Sequence, residues 1–293
     1  MLLHGRQRPT VVSRSPDLLI RSFMRQLYFW LAATLLSISC GCGRKPMQTI
    51  EVSQTDILTN QQISSLETKR IFFGHQSVGN DIVHGIRDIM DEDRRLKLNL
   101  VASADPQSMS LPAFVESPIG ENRNPASKDK AFADILAKGM GSQGGIAMYK
   151  YCYVDIGLDT DVQQLFDNYR RQMTDLKSRY PSLTVVHITV PLTTDDPGPK
   201  TWIKTMIGRP TSRDVNLKRN QFNSLLRKYY ATEPIFDLAR VESTHLDGTR
   251  SYVMIQGQKV YTLASEFTTD GGHLNQAGRR AAAQTLLQVL AGL

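Results

Sequence analysis

Three side chains in this sequence have the types and placement for acyl-transfer chemistry: Ser77, Asp270 and His273. Ser77 sits in the stretch Arg70-Ile71-Phe72-Phe73-Gly74-His75-Gln76-Ser77-Val78-Gly79-Asn80-Asp81-Ile82, an apolar run that breaks at a glycine and restarts with helical spacing. A serine in that break has its hydroxyl in the open, beside helix amides that favour negative charge, which suits a nucleophile. It also suits a plain helix cap, with Gly74 and Gly79 making the turn. Near the other end, Thr268-Thr269-Asp270-Gly271-Gly272-His273-Leu274-Asn275-Gln276-Ala277-Gly278 puts an aspartate three residues before a histidine across two flexible glycines. Such a carboxylate can fold back onto one imidazole nitrogen while the other faces a nucleophile. In a chain with six histidines this spacing arises easily by chance. Its weight comes from its position, directly before the last helical pattern of the chain.

These residues need elements to carry them. Residues 70–73 read as a first buried strand, and Ile82, Val83, Ile86 and Ile89 give the next segment helical spacing. Residues 96–102 alternate as a second strand. Residues 103–130 read as a long irregular loop containing Ser117-Pro118-Ile119-Gly120-Glu121-Asn122, and long loops in compact domains are often functional. A helix over 131–140, a central strand over 145–156, a helix over 161–180 closed by Pro181, and a buried β-branched strand over 183–190 follow. A polar stretch over 191–214 with Trp202, a helix over 215–230, a short strand over 234–238, a hairpin over 252–263 and a final helix capped by Asn275 complete the pattern. Alternating strands and helices imply a parallel sheet. His187, inside a strand, reads as a satisfied core residue, and His245 with Asp247 reads as surface. Cys152 reads as a buried structural thiol rather than a nucleophile.

A serine after the first strand, with Asp-x-x-His just before the final helix, resembles the SGNH (GDSL-like) hydrolase superfamily over residues 69–293. The resemblance implies a three-layer α/β/α sandwich with a parallel sheet of about five strands, flavodoxin-like in kind. It also implies an ester hydrolase with Ser77 as nucleophile, His273 as base and Asp270 as its orienter. Gly74-His75-Gln76-Ser77 replaces the common Gly-Asp-Ser block, which marks a divergent branch. Within the family, oxyanion donors come from the serine amide, a loop glycine and an asparagine in Gly-x-Asn-Asp. The first two map to Ser77 and Gly120; the asparagine is absent, and Cys152, Tyr153 or Asp155 occupies its region. His75, Asn122 and Trp202 are candidate substrate contacts, Trp202 as a platform for a sugar. The implied substrate is a short acyl ester, such as an acetyl group, on a carbohydrate. The same residues would serve an O-acyltransferase, and a carbohydrate-binding or scaffold lipoprotein with little catalysis is the alternative from another class.

The net charge of +7 suggests a polyanion partner until it is divided along the chain. Arg6, Arg8, Arg14, Arg21, Arg25, Arg44 and Lys45 stand against Asp17 in the first 45 residues, so the rest is nearly neutral and a nucleic-acid partner loses support. Residues 1–42 read as a basic extension plus a signal peptide, with Met24 as a second possible start. The apolar run over 27–38 is shorter than the roughly 20 residues a membrane span wants. Ser37-Ile38-Ser39-Cys40 resembles a bacterial lipobox, with Cys40 as the lipidation site, plain secretion as the close alternative, and export to the periplasm or cell envelope as the expectation. Residues 43–66 read as a polar tether ending in a short helix, and the domain is expected over 67–293. Three cysteines, two of them (Cys40 and Cys42) at the signal junction, leave no disulfide framework. No His/Cys spacing fits zinc, so neither metal nor cofactor is expected.

Overall fold

The computed structural model describes residues 58–103, 105, 111–195, 203, 206, 207 and 211–293. The signal-like segment with Met24, Cys40 and Cys42, and Trp202, lie outside these residues. In chain order the elements are α1 (Asn60–Glu67), β1 (Arg70–His75), α2 (Val78–Glu92), β2 (Leu100–Ala102), β3 (Ala113–Pro118), α3 (Pro125–Ile135), β4 (Gly145–Tyr149), α4 (Val162–Arg179), β5 (Leu183–Ile188), α5 (Ser212–Tyr229), β6 (Ile235–Phe236), α6 (Leu238–Glu242), β7 (Tyr252–Ile255), β8 (Gln258–Tyr261) and α7 (Gln276–Ala291).

Six parallel strands form one sheet in the order β2-β3-β1-β4-β5-β6. Without the short edge strand β2, this is the flavodoxin-like order, which reverses between β1 and β4. The five strands read from the sequence are present as β1, β2, β4, β5 and β6, and the sixth, β3, lies between β2 and β1. A strand buried on both faces must be apolar on both. In β1, Ile71 and Phe73 enter one core and Phe72 the other; in β4, Ile146 and Met148 oppose Ala147 and Tyr149 in the same way. Residues of α1, α2 and α7 pack with the first set, and residues of α3, α4 and α5 with the second, giving three layers.

Several boundaries differ from the sequence reading, each for a physical reason. The long loop over 103–130 contains β3 and the start of α3. β3 escaped notice because Glu116 interrupts its apolar run, and its carboxylate is tolerated there by His75 and Arg87. β2 begins at Leu100; Leu96 and Leu98 are buried, but the Leu96 amide closes a turn onto the Asp93 carbonyl. The helix expected over 131–140 starts at Pro125 behind an Asn124 cap and passes into a π-helical turn over Leu136–Met140. The strand expected over 145–156 ends at Tyr149, followed by a short 3-10 turn over Tyr153–Asp155. Helix α1, assigned to the tether, belongs to the folded unit, since Leu58, Ile63 and Leu66 are core residues.

The segments that carry Ser77 and His273 meet because α2 and α7 pack tightly. A side chain at Gly85 of α2 would strike the Arg279 carbonyl and come within 2.9 Å of the Ala283 Cβ, so this crossing requires a glycine. Arg279 pairs with Asp88 at 2.7 Å, and Arg280 pairs with Glu92. Both helices begin at the carboxyl edge of the sheet, and their first turns lie side by side there.

Candidate active site

β1 ends at His75, α2 starts at Val78, and the chain turns between them at Ser77 with φ 56° and ψ −118°. For a residue with a Cβ, this left-handed conformation costs about 1–3 kcal/mol and persists only when its surroundings enforce it. Gly79 permits the turn, because a Cβ there would collide with the His75 side chain. Ser77 is the N-cap residue of α2 yet makes no side-chain cap bond. Its Oγ lies 2.7 Å from His273 Nε2, across 196 residues of sequence.

The His273 loop is built around Asp270. Oδ1 accepts from the His273 amide at 2.8 Å and the Gly272 amide at 2.9 Å, and Oδ2 lies 2.6 Å from His273 Nδ1. With Nδ1–H donating to Asp270, Nε2 is left as the acceptor for the Ser77 hydroxyl. The imidazole hydrogen bond, followed by the two amides, holds the Asp270 carboxyl well below the usual carboxylate range. Gly271, at φ +86°, makes the sharp turn, and its carbonyl accepts from the Thr194 amide at 3.0 Å. Asp81, on the first turn of α2, accepts from the Leu274 amide at 3.0 Å and ties the histidine loop to the serine helix. The Asp270 and His273 side chains are 54% and 45% exposed, so a substrate can reach them.

Gly120 lies beyond β3, one strand later than expected, but β3 is the neighbour of β1, so the loop flanks Ser77's turn. At φ +57°, with the Lys128 amide 2.6 Å from where a Cβ would stand, position 120 excludes other residues. Gln76 clasps this loop: its Nε2 donates to the Ile119 carbonyl at 3.0 Å and to the Gly120 carbonyl. The Ser77 and Gly120 amides have no acceptor among the described residues. Asn122 is exposed, with its Oδ1 held at 3.1 Å by the buried Lys128 ammonium.

Of the residues near the missing asparagine, Asp155 is fully engaged with Lys128 and with the Cys152 and Arg123 amides. The Cys152 thiol is buried against the Gln76 carbonyl at 3.5 Å, with Lys150 Nζ 3.4 Å away. Tyr153 is partly exposed, its ring edge-on to His273 at 5.8 Å, and burial raises its phenol above the ordinary value, which keeps it a proton donor. His75 is corrected as a substrate contact. It is 1% exposed beneath Gly79, its Nε2 bonds Glu116 at 3.0 Å, and burial lowers its pKa. His187 is a core residue bonded to Tyr169 and Glu233, and His245 bonds Glu266 near the surface.

The structure thus brings together Ser77, His273 and Asp270, sets Gly120 on the adjoining loop, and buries His75. Gln76 and Asp81 were not singled out as site residues, and Tyr153 was one of three residues named in the region of the absent asparagine. Gln76 and Asp81 flank Ser77 in sequence, but only the fold shows that they reach the Gly120 and His273 loops. Among the described residues, no group of three or more His, Cys, Asp or Glu side chains is placed to hold a metal ion.

A flavodoxin-like sheet with Ser, Asp and His at its carboxyl edge, in this chain order, is the arrangement that resemblance to the SGNH hydrolases implies. No family model matches the chain, and no curated protein matches its sequence. Among solved structures, the chain is similar to a Streptococcus pneumonia protein provisionally named a platelet activating factor. That match has 14% identity, covers 92% of this chain and 99% of the other, and has a TM-score of 0.46. It is similar to a provisionally named GDSL-like lipase from Parabacteroides merdae ATCC 43184, at 12% identity, 76% and 96% coverage and a TM-score of 0.44. It is also similar to the acetyl xylan esterase AlAXEase, at 13% identity, 74% and 98% coverage and a TM-score of 0.39. Each is a likeness of low identity; what Ser77 can do follows from the distances within this chain.

Proposed function

We propose that the protein is a serine ester hydrolase that removes acetyl or other short acyl groups from a carbohydrate. The observation that carries this reading is the 2.7 Å approach of Ser77 Oγ to His273 Nε2, with Asp270 on the far nitrogen. His273 takes the Ser77 proton as Oγ attacks the ester carbonyl, and Asp270 steadies the imidazolium. The tetrahedral oxyanion is met by the Ser77 and Gly120 amides and by the Tyr153 hydroxyl, which takes the place of the absent asparagine. His273 then passes its proton to the departing alcohol, leaving Ser77 acylated. A water molecule, deprotonated by His273, releases the carboxylic acid and restores the serine. Asn122, its amide oxygen fixed by Lys128, offers its amide nitrogen to the substrate, and Trp202 is proposed as a further contact.

Turnover of 4-nitrophenyl acetate tests the hydrolase reading. Wild type is expected to release nitrophenol and Ser77→Ala to fall to background; an equal rate in both would refute it. Export with lipid attachment at Cys40 is part of the proposal and rests on the sequence from Met24 to Cys40. Cys40→Ala should move the protein from the membrane fraction to the soluble fraction of the envelope, and an unchanged distribution would argue against the anchor.

A further inference from the structure

The oxyanion donors assigned to Ser77 and Gly120 are backbone amides, so their direction is set by the peptide groups that contain them. A trans peptide is planar, and its carbonyl and its N–H point in opposite directions. No cis peptide bond occurs among the described residues. Whatever grips the carbonyl of such a group therefore aims its amide. The Ser77 amide shares its peptide with the Gln76 carbonyl, and the Gly120 amide shares its peptide with the Ile119 carbonyl.

Gln76 is common to both. Its Nε2 donates to the Ile119 carbonyl at 3.0 Å and to the Gly120 carbonyl, which uses both amide protons on one loop. Carbonyls only accept, so the amide nitrogen of Gln76, not its oxygen, must face them. The Gln76 carbonyl is itself gripped twice, by the Gly79 amide at 3.1 Å and by the buried Cys152 thiol at 3.5 Å. That grip supplies part of the restraint that a positive φ at Ser77 needs. A bond accepted at the carbonyl also polarises the peptide and strengthens its N–H as a donor. An ionised aspartate, as in the common Gly-Asp-Ser block, has no proton to give these carbonyls, so the clasp goes with this chain's departure from that block.

We infer that Gln76 is the positioning residue of the oxyanion site, fixing one backbone donor through its side chain and the other through its own carbonyl. The catalytic consequence rests on the hydrolase reading of Ser77; the restraint on the Gly120 loop does not.

The test compares the full chain with Gln76→Met, which keeps the bulk and loses the donor, and with Gln76→Asn, which keeps the donor but is one methylene too short to reach both carbonyls. The substrates are 4-nitrophenyl acetate and its thiono analogue, in which sulfur replaces the carbonyl oxygen. Sulfur is larger and a weak acceptor, so donors aligned for oxygen discriminate against it. Each variant should lower kcat for the oxygen ester by about a hundredfold with little change in KM, and should lower the oxygen-over-sulfur ratio of kcat/KM by about tenfold or more. Damage to the serine and histidine pair would slow both esters alike, so an unchanged ratio overturns the inference, as does an unchanged kcat. A second measurement needs no turnover. The Ile119 and Glu121 amides, bonded to the His75 carbonyl at 3.1 Å and to Ser127 Oγ at 2.7 Å, report opening of this loop by hydrogen exchange. Their exchange should quicken by about tenfold or more in both variants while that of α7 stays as in wild type, and unchanged exchange would overturn the inference. Gln76→Asn carries both readouts if the methionine variant does not fold. Faster exchange in a protein whose wild type turns over no ester ends only the hydrolase reading, whereas turnover with ratio and exchange unchanged ends only this inference.

Discussion

At the scale of single residues, the site depends on a serine held in a conformation that serines avoid. Replacing Ser77 separates the cost of that turn from its use. Ser77→Gly, free to adopt a positive φ, should be more stable than Ser77→Ala by about 1 kcal/mol in denaturant unfolding, with both inactive. Equal stability would mean that the turn is unstrained. Tyr153→Phe removes one proposed oxyanion donor and should lower kcat by about 10²-fold with little change in KM, as typical for such donors. Asp270→Asn should cost between about 10² and 10⁴-fold in kcat, because the imidazole loses the partner that fixes its tautomer. The reactive types were legible in the sequence: a serine at a strand-to-helix break and Asp-x-x-His before the last helix. Tyr153 was legible only as one of three residues near the absent asparagine, and its phenol, which has no acceptor among the described residues, is set apart from Cys152 and Asp155 only by the fold. Only three-dimensional surroundings reveal a missing partner.

At the scale of elements, the site is a meeting of two helix starts, and the α2–α7 crossing sets their separation. Gly85→Ala inserts a methyl where the Arg279 backbone already lies. It should destabilise the fold by about 1–3 kcal/mol, as overpacking does, and lower kcat by moving Ser77 relative to His273. Unchanged kcat in a folded variant would show that the crossing does not position the triad. Helix α5 shows where periodicity misleads. Its inward face carries Asn216, Arg219 and Asn223 beside Phe222 and Leu226, because the Asn223 side chain bonds both the amide and the carbonyl of Val190, and Asn216 bonds Thr193. Leu217 and Leu225, apolar at helical spacing, are only half-buried; polar residues that capture the chain beyond β5 have no apolar signature. β3 was hidden for a related reason, as a glutamate inside a strand is acceptable only with His75 and Arg87 at hand.

At the scale of the whole molecule, the order of strands and helices was readable because the parallel strands are short apolar runs separated by amphipathic helices. That the Ser77, Gly120 and His273 loops meet at the carboxyl edge was legible only through the family resemblance, because it follows from a strand order that places β1 between β3 and β4. The buried charges behind this edge give the fold a pH dependence. Glu242 has its carboxyl raised from 4.5 to about 8 by burial. Between these values the folded state retains a proton that the unfolded state has released. This contribution is therefore fully present below pH 4.5 and is lost as the pH rises through 8. Glu242→Gln cannot titrate and keeps an oxygen for the Leu192 amide. Its Tm should fall less than that of wild type between about pH 5 and about pH 8.5, and parallel curves would exclude Glu242 as the source.

The most direct measurement of the central claim is covalent labelling of the full chain with a fluorophosphonate, located by peptide mass spectrometry. One adduct on Ser77 is expected, with labelling slowed at least a hundredfold by His273→Ala. A protein that takes no label, or takes it on another residue at a rate indifferent to His273, would contradict the assignment of Ser77 as a nucleophile activated by that imidazole.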